Sequence, residues 1–334
     1  MIPEAKRDGV ARALRETFGG GASSPSAEVE DIRMLTAGLS PALVFRIVVR
    51  GRPYLLRVIT RTDAMNDPTR QFECMRSAAD AGLAPRVWYT SIEDRISITD
   101  FVEARPFTRT EALARMPRTL RKLHGLAPFP KAVNYLDVAD GYIRKFQAAG
   151  ILPESETAEL FSLYAPLAKV YPRDDSDMVP CHNDLKPENI LFDGERVWLV
   201  DWEAAFANDR YVDLAVVANF VVTDDGEEQG YLASYFGEAA GSYRSARFYL
   251  MSQIVHIFYA VVFMFLGSKG KPIEPLHTKV PDFRDFHERI RGGGVSLAGD
   301  ESKVEYGRVH MNQVLQNLRG VRFREAMRIV AMGR

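Results

Sequence analysis

The sequence predicts an α+β protein in which a small antiparallel sheet comes first and a larger, mostly helical region follows. Short apolar segments separated by turn signals fill residues 29–101, and they predict five strands with one helix inserted after the third. From residue 110 onward, apolar positions recur at helical spacing, interrupted only by short strand-like pieces between 178 and 201. The 334 residues suffice for two lobes with their own cores, and we place these lobes at residues 1–103 and 104–334.

Local signals place the elements of the first region. Apolar residues at helical spacing predict a helix over residues 4–18, which a run of three glycines ends. Residues 67–82 predict a second helix, because Pro68 lies near its start and Gly82 just past its end. A hairpin turn is expected at Gly51-Arg52-Pro53, between the second and third strands. The five strands are predicted at residues 29–35, 43–50, 54–60, 87–91 and 95–101.

Helical periodicity dominates the second region. Helices are expected at residues 110–125, 137–149, 154–170, 211–221, 226–236, 242–266, 301–318 and 322–331, and short strands at 178–181, 190–192 and 197–201. Residues 254–266 form the most membrane-like run. That run is shorter than the roughly 20 residues of a membrane span and contains His256, which favours a buried helix. Residues 269–299 are rich in glycine, proline and charge, and we expect an exposed insertion there.

Composition narrows the class of protein. The formal net charge of −1 argues against a nucleic-acid binder or a polybasic membrane binder. The two cysteines, Cys74 and Cys181, have no metal-ligand spacing around them, so neither a disulfide framework nor a structural zinc site is expected. The first residues carry charge and no apolar signal-peptide core. We therefore expect a cytoplasmic protein with no nucleic-acid or membrane partner, present as a monomer or a homodimer.

One segment carries groups suited to phosphoryl transfer. It reads His182-Asn183-Asp184-Leu185-Lys186-Pro187-Glu188-Asn189, and Asp201 follows at the end of a strand-like run. Phosphoryl transfer requires a carboxylate that accepts the proton of the attacking hydroxyl, and Mg²⁺ that neutralises phosphate charge. Mg²⁺ prefers oxygen ligands from one or two side chains. Asp184 is the candidate base, and Asn189 and Asp201 are the candidate ligands. The two short strands between Asn189 and Asp201 can form a hairpin that brings all three together.

This pattern resembles the catalytic loop and metal-binding segment of the choline kinase and aminoglycoside phosphotransferase superfamily, relatives of the protein kinases. The resemblance implies a protein-kinase-like fold of two lobes, with ATP and Mg²⁺ as cofactors. It implies that Asp184 is the catalytic base and that Asn189 and Asp201 bind Mg²⁺. His182 would orient the loop and Asp201 through hydrogen bonds. Asp213, within Asp213-Leu214-Ala215, matches a family aspartate that braces the loop from a helix start, where an acid also suits the helix dipole.

The resemblance also assigns the nucleotide end. In this superfamily a basic residue on the third strand binds the phosphates, and an acidic residue on the following helix holds it. Arg57 and Glu73 occupy these places, with arginine where protein kinases carry lysine. The neighbouring Arg70 and Arg76 leave open that Glu73 makes only local pairs.

Two further segments are candidates for nucleotide contacts. Gly38 and Ser40 lie between the first two strands, where a short loop would approach the phosphates with backbone and side-chain donors. A plain hairpin turn is the alternative there. Asp100 and Val102 lie where the lobes would join, and backbone groups near them would contact the edge of the adenine ring. Ordinary packing at the end of a strand is the alternative for these two.

The acceptor side carries a carboxylate and aromatic residues. Glu203 lies two residues beyond the last predicted metal ligand, so on an extended stretch both side chains point the same way. Choline kinases share this Asp-x-Glu pattern, and a carboxylate with aromatic faces suits a quaternary ammonium group. Trp202, Tyr249 and Tyr259 are candidate contacts, with burial in the core as the alternative. Asn208-Asp209-Arg210 resembles a segment near the acceptor in bacterial choline-kinase-like proteins, with a surface turn as the alternative.

We therefore predict a phosphotransferase that uses ATP and Mg²⁺ to phosphorylate the hydroxyl group of a small molecule, with an aminoalcohol of choline or ethanolamine type as the leading hypothesis. A kinase of an aminoglycoside, a sugar or another alcohol is the second hypothesis. A nucleotide-binding regulatory pseudokinase is the third, and the intact polar groups of the loop argue against it. The segment Asp201-Trp202-Glu203 and the short gap to Asp213 argue against a protein kinase, because they leave no room for an activation segment.

Overall fold

The protein has two regions that follow each other along the chain. A computed structural model describes residues 2–19, 29–35, 42–61, 67–173, 177–274 and 280–333. The first region holds a five-stranded antiparallel sheet, and the second is mostly helical with two small pairs of strands. This arrangement confirms the predicted α+β fold class.

The sheet of the first region contains the predicted strands. They are β1 (Val29–Leu35), β2 (Leu43–Val49), β3 (Arg52–Val58), β4 (Val87–Ser91) and β5 (Ile96–Asp100). Their order is β1-β2-β3-β5-β4, and all neighbouring pairs are antiparallel. Helix α1 (Arg7–Phe18) contacts β4 and β5, and helix α2 (Pro68–Asp80) follows β3 in the chain. Alternate residues of β2 and β3 are buried, and their apolar side chains share a core with Val10 and Ala13 of α1.

Two local features determine where these elements begin. Arg50 and Gly51 both have positive φ, 52° and 72°, as a two-residue type I′ hairpin turn requires. The turn therefore lies one residue earlier than predicted, and β3 begins directly after it. Asp67 caps α2 by accepting a hydrogen bond from the backbone N–H of Thr69 at 2.9 Å. Pro68 occupies the first turn of α2, where an N–H has no helical partner.

The helical region is arranged around one long helix. The helices are α3 (Arg109–His124), α4 (Tyr135–Ala148), α5 (Glu154–Val170), α6 (Arg210–Val221), α7 (Asp225–Phe236), α8 (Ser242–Ser268), α9 (Phe283–Arg291), α10 (Asp300–Arg319) and α11 (Val321–Met332). Helix α8 contacts α4, α6, α10 and α11. Among the described helices, α8 alone is long and apolar enough to cross a membrane, and 67% of its most apolar window is buried inside the protein. That burial agrees with the predicted core helix.

The expected exposed insertion at residues 269–299 is wrong for its middle part. Helix α9 lies there, and the carboxylate of Asp282 caps it by accepting from two backbone N–H groups of its first turn. Phe283, Phe286 and His287 of α9 are buried. Its sequence, FRDFHERIR, has five charged residues among nine. The overall composition therefore does not reveal that this short helix is amphipathic and has an apolar face.

Two small antiparallel pairs of strands flank the His182–Asn189 segment, which we call the catalytic loop. Strand β6 (Met178–Cys181) precedes the loop and pairs with β9 (Phe206–Asp209). Strand β7 (Ile190–Phe192) follows the loop and pairs with β8 (Val197–Leu199), which forms the predicted hairpin. Strand β9 has no counterpart in the prediction. Asn208 and Asp209 are buried within it, so the alternative of a surface turn there is wrong.

Candidate active site

The catalytic loop holds the carboxylate of Asp184 from two sides. Asn189 donates from Nδ2 to the backbone oxygen of Asp184 at 2.8 Å and to its Oδ2 at 2.9 Å. Lys186 donates from Nζ to the same Oδ2 at 2.9 Å. The side chain of Asp184 is 30% exposed, so an incoming hydroxyl can reach its other oxygen. The structure therefore brings Asp184, the predicted base, into direct contact with Asn189, a predicted metal ligand.

Charges around Lys186 keep its ammonium group protonated. Burial lowers the pKa of Lys186, but the carboxylates of Asp184, Asp201 and Glu188 more than offset this effect, so the pKa lies above its usual value. Lys186 therefore places a positive charge beside the Asp184 carboxylate. A carboxylate accepts a proton in its ionised form.

Asp213, in the first turn of α6, braces the loop from the helical side. The residue is fully buried, and its two oxygens accept the backbone N–H groups of His182 and Asn183 at 2.8 and 2.7 Å. Asn183 has a φ of 66°, an uncommon region for a non-glycine residue that these bonds stabilise. His124 Nε2 lies 3.2 Å from the same carboxylate, and Cys181 lies beside both. Because both oxygens already accept loop N–H groups, we interpret this buried trio as a brace and not as a metal site.

His182 connects the loop to the strand end that precedes Asp201. Its Nε2 lies 2.8 Å from the backbone oxygen of Val200, so this nitrogen carries the proton. The backbone N–H of Val200 donates in turn to the backbone oxygen of Asn189 at 3.0 Å. The described contact is therefore to the main chain directly before Asp201, and not to the Asp201 carboxylate.

Arg57 on β3 reaches across to the segment Asp201–Glu203. Its Nη1 lies 2.7 Å from Oδ1 of Asp201, and its Nη2 lies 2.8 Å from Oε2 of Glu203. Arg70 of α2 donates to the backbone oxygen of Glu203 at 2.9 Å. Glu73 is exposed on the outer face of α2 and has no hydrogen bond or ion pair with a described residue. The predicted pair of Arg57 with Glu73 is therefore wrong, and Glu203 supplies the carboxylate.

The backbone conformation at Asp201 explains why Glu203 lies beside Arg57. Asp201 has a left-handed conformation with φ and ψ of 65°, and residues Trp202–Ala204 form one turn of 3₁₀-helix. The chain is thus not extended beyond Asp201, and strand alternation does not apply to Glu203. The two carboxylates lie together because the guanidinium of Arg57 binds both.

Trp202 is a core residue. It is 4% exposed, and its Nε1 donates to the backbone oxygen of Leu199 at 3.1 Å. Its ring packs against His182 and Phe129, with ring centroids 4.7 and 6.3 Å apart. The predicted substrate contact of Trp202 is therefore wrong, because the ring supports the imidazole of His182.

A narrow cleft of about 50 Å³ separates the sheet from residues Leu199–Trp202. Arg57 and Thr99 line it from the sheet, and Asp201 lines it from the opposite side. The predicted phosphate loop with Gly38 and Ser40 lies outside the described residues. The lining residues named for the cleft therefore do not include that loop.

Asp100 packs at the end of β5. Its backbone N–H donates to the backbone oxygen of Arg86 at 2.9 Å, and its Oδ1 accepts from Nε1 of Trp88 at 2.7 Å. The amide of Asp100 is thus already bonded within the protein, and the predicted contact of backbone groups near Asp100 with adenine stays a prediction. Val102 follows at the junction of the two regions, is half-buried, and has no backbone hydrogen bond with the described residues.

A cavity of about 370 Å³ lies beside the catalytic loop, and we call it the loop cavity. Leu185, Pro187 and Glu188 of the loop line it, together with side chains of α3, α6 and α9. Most of the lining is apolar. Three phenylalanine rings contribute to it, those of Phe107, Phe192 and Phe220.

Two tyrosines lie close to Asp184 in the helical core. Tyr135 and Tyr259 are buried, and burial first and the charge of Asp184 second raise the pKa of each hydroxyl well above its usual value. The hydroxyl of Tyr135 has no hydrogen-bond partner in the described parts of the chain. Tyr259 is a sequence candidate, whereas Tyr135 carries no motif that marks it. Tyr249, the other candidate, lines a different cavity under the guanidinium of Arg322.

Comparison with known sequences agrees with this geometry. The profile described as "Phosphotransferase enzyme family" matches residues 31–249, about two thirds of the chain. Protein LicA from Haemophilus influenzae is 31% identical over 94 residues, which are 28% of this chain and 35% of LicA. The matched stretch thus spans about a third of that relative.

Comparison with solved structures shows the same fold. A choline/ethanolamine kinase family protein from Mesorhizobium loti has a TM-score of 0.67 and 21% identity, covering 98% of this chain and 100% of that one. A spectinomycin phosphotransferase in complex with ADP and spectinomycin has a TM-score of 0.54 and 13% identity, covering 91% of this chain and 98% of that one. Since the family profile covers well over half of the residues and includes the whole catalytic loop, the chain belongs to the phosphotransferase enzyme family.

Proposed function

We propose that this phosphotransferase uses ATP and Mg²⁺ to phosphorylate the hydroxyl group of a small aminoalcohol of choline or ethanolamine type. The observation that carries the proposal is the carboxylate of Asp184, bonded to Asn189 and Lys186 next to an apolar cavity. A charged and partly exposed carboxylate at this point is suited to accept a proton from a bound alcohol.

The bonds of Asp184 assign a role to each of its oxygens. Asn189 and Lys186 hold Oδ2, which leaves Oδ1 to accept the proton of the acceptor hydroxyl. As the proton leaves, the hydroxyl oxygen forms a bond to the terminal phosphorus of ATP, the bond to the bridging oxygen breaks, and ADP departs. Lys186 remains protonated and can stabilise negative charge on the transferred phosphoryl group.

The residues between the catalytic loop and Asp201 fit a Mg²⁺ ion. Asn189 uses its Nδ2 on Asp184, which leaves its side-chain oxygen for a cation. Oδ1 of Asp201 is buried and, beside its ion pair with Arg57, accepts no hydrogen bond from the described residues. An amide oxygen and a carboxylate match the oxygen preference of Mg²⁺. When bound, the ion would neutralise charge on the phosphates.

Arg57 is the candidate phosphate contact. Its guanidinium lies at the cleft between the sheet and Asp201, and an arginine binds phosphate oxygens through two parallel N–H bonds. The ADP complex of the spectinomycin phosphotransferase supports nucleotide binding by this fold. Asp100 and Val102 stay candidates for the adenine edge, and Gly38 and Ser40 for the phosphates. We accordingly propose that residues 1–103 bind the nucleotide and that residues 104–334 carry the catalytic loop and the acceptor site.

The loop cavity is the proposed acceptor site. Glu188 supplies an exposed carboxylate at its edge, and three phenylalanine rings supply apolar faces. A carboxylate with aromatic faces binds an ammonium group through charge and cation–π attraction. Tyr135 and Tyr259 lie on the side of Asp184 within the helical core, and the charge of Asp184 acts on both hydroxyl groups. The structural likeness to a choline/ethanolamine kinase family protein supports this acceptor class.

A kinase of an aminoglycoside, sugar or other alcohol is the second candidate, because the spectinomycin phosphotransferase shares the fold. The apolar lining of the loop cavity disfavours a polycation, which would require several carboxylates. A regulatory pseudokinase, the third candidate, would not need the intact bonds around Asp184. A cytoplasmic location and a monomeric or homodimeric state remain predictions.

An ADP-release screen tests the proposal. Purified protein with ATP and Mg²⁺ is offered choline, ethanolamine, spectinomycin, other aminoglycosides, sugars and thiamine, and Asp184→Asn serves as the matched control. We expect choline or ethanolamine to react fastest, and the variant to lose about 10²–10⁴-fold in rate, as expected for a general base. Faster turnover of an aminoglycoside or sugar would support the second candidate. ATP binding without turnover of any acceptor would support the pseudokinase.

A further inference from the structure

A second cavity, of about 190 Å³, lies on another face of α6, and we call it the amide cavity. Asp213 of α6 contacts the catalytic loop, and Val217 and Phe220 line the loop cavity. Ala218 and Asn219 of the same helix line the amide cavity instead, together with side chains of α7 to α11. None of the described catalytic-loop residues lines it. The two cavities are therefore separate sites on either side of one helix.

Four side-chain amides line the amide cavity, and three of them are bonded to each other. Asn317 donates to Oε1 of Gln253 at 2.8 Å, and Gln313 donates to Oδ1 of Asn317 at 3.0 Å. The fourth, Asn219, is 7% exposed, and its Nδ2 is buried with no hydrogen-bond partner in the described structure. Buried amide groups in proteins are nearly always paired. Asn219 therefore points to a ligand that carries a hydrogen-bond acceptor.

Charged groups of both signs border this amide. Arg284 donates to the backbone oxygen of Asn219 at 3.2 Å, and it lines the same cavity as Asn219. An amide N–H and a guanidinium together suit an oxyanion. On the side of α7, Arg322 pairs with Asp225, whereas Asp224 has no ion pair with a described residue. One oxygen of the Asp224 carboxylate caps α7 by accepting from the backbone N–H of Glu227 at 2.9 Å, and the other oxygen suits an ammonium group.

The size and the remaining walls limit the ligand further. About 190 Å³ lies below the roughly 300–1,000 Å³ of pockets for drug-sized molecules, so the ligand is a small metabolite. Phe248, Tyr249 and Phe283 contribute ring faces. His256 is neutral, because burial lowers its pKa to about 3, so it adds no charge to the cavity.

We propose that the amide cavity binds a small zwitterion, with its oxyanion at Asn219 and Arg284 and its ammonium group at Asp224. Free amino acids and phosphorylated aminoalcohols share this chemistry. The proposal does not depend on the proposed acceptor, because no loop residue takes part. A bound ligand would stabilise the folded protein by mass action. Asn219, its proposed contact, lies on α6, the helix that also carries Asp213.

Isothermal titration calorimetry on the full chain tests the proposal. L-Serine probes the carboxylate source and O-phosphoethanolamine the phosphate source, while ethanolamine, acetate and inorganic phosphate each offer half of the zwitterion. We expect one zwitterion to bind at least about tenfold more tightly than either of its halves. Asn219→Leu and Asp224→Asn should each weaken that binding about tenfold or more. Gln229→Leu, the same amide-to-apolar change at an exposed position of α7, should leave it unchanged.

Several results would overturn the proposal. One is that neither zwitterion binds more tightly than its halves. Another is binding that survives Asn219→Leu but is lost in Glu188→Gln, which would place the ligand in the loop cavity. If Asn219→Leu does not fold, Asn219→Asp keeps the size and repels the oxyanion, and unchanged binding there would contradict the proposal. The ADP-release screen tests the proposed function independently of the calorimetry. A negative result for the amide cavity therefore does not contradict the proposed function, and the reverse also holds.

Discussion

Replacing Glu203 by glutamine keeps the size of the side chain and removes its charge. Oε2 of Glu203 lies 2.8 Å from Nη2 of Arg57, and the side chains of Glu203 and Arg57 are 39% and 14% exposed. A charge-assisted hydrogen bond contributes about 1.5–3 kcal/mol when buried, whereas an exposed ion pair contributes about 0.2–1 kcal/mol. Because Glu203 is more than a third exposed, we expect a loss of about 1 kcal/mol in the positioning of Arg57. That corresponds to about a fivefold fall in kcat/KM for ATP.

Initial rates at varied ATP and saturating acceptor measure this effect. Glu73→Gln is the matched control, since it removes the same charge from an exposed position of α2. We expect the control to keep the wild-type kcat/KM for ATP. The reasoning is refuted if Glu73→Gln loses as much as Glu203→Gln. A rise in KM for the acceptor at an unchanged kcat/KM for ATP would return Glu203 to its predicted acceptor contact.

Three further predictions concern stability. Asp213→Asn should lower the free energy of unfolding by about 2–3 kcal/mol, since an amide oxygen can replace only one of two buried carboxylate acceptors; an unchanged urea midpoint would contradict the bracing role. Trp202→Ala should cost about 3–5 kcal/mol of stability with no change in KM for the acceptor; a raised KM would support the original substrate contact. His256 has a folded pKa of about 3, below the roughly 6.5 of an unfolded histidine, so the unfolded chain binds more protons between these values. Stability should therefore fall as pH drops below about 6.5, by up to about 1.4 kcal/mol per pH unit, and the slope should be smaller in His256→Asn.

The sequence predicts those parts of the fold whose signals are local. The strand ends around Arg50-Gly51 and the start of α2 at Asp67-Pro68 depend on backbone preferences of two or three residues. The catalytic loop is predictable for a related reason. Asp184, Asn189 and Asp201 are joined by one hairpin, so their proximity follows from chain connectivity without any knowledge of helix packing.

The predicted partner of Arg57, which depends on long-range packing, was wrong. The carboxylate partner of Arg57 depends on how α2 sits against the turn after Asp201. Arg70 faces that turn and donates to the backbone of Glu203, while Glu73 points outward. A helix places residues 70 and 73 within one turn of each other, so the sequence leaves open which of them faces inward. The left-handed backbone conformation of Asp201 likewise has no glycine to signal it in the sequence.

The surroundings of Asp184 show most clearly that contacts made by helix packing are hard to predict from sequence motifs. Tyr135 begins α4 and Tyr259 lies on α8, and they approach Asp184 only because α4 packs against α8. Neither residue belongs to a motif. Tyr259 is a sequence candidate with burial in the core as the alternative, whereas Tyr135 has the features of an ordinary core aromatic. The chemistry of the loop can therefore be inferred from a contiguous stretch of sequence. In the proposed acceptor site, side chains of α3, α6 and α9 converge with Leu185, Pro187 and Glu188 of the loop, so the choice of acceptor cannot be inferred from one contiguous stretch of sequence.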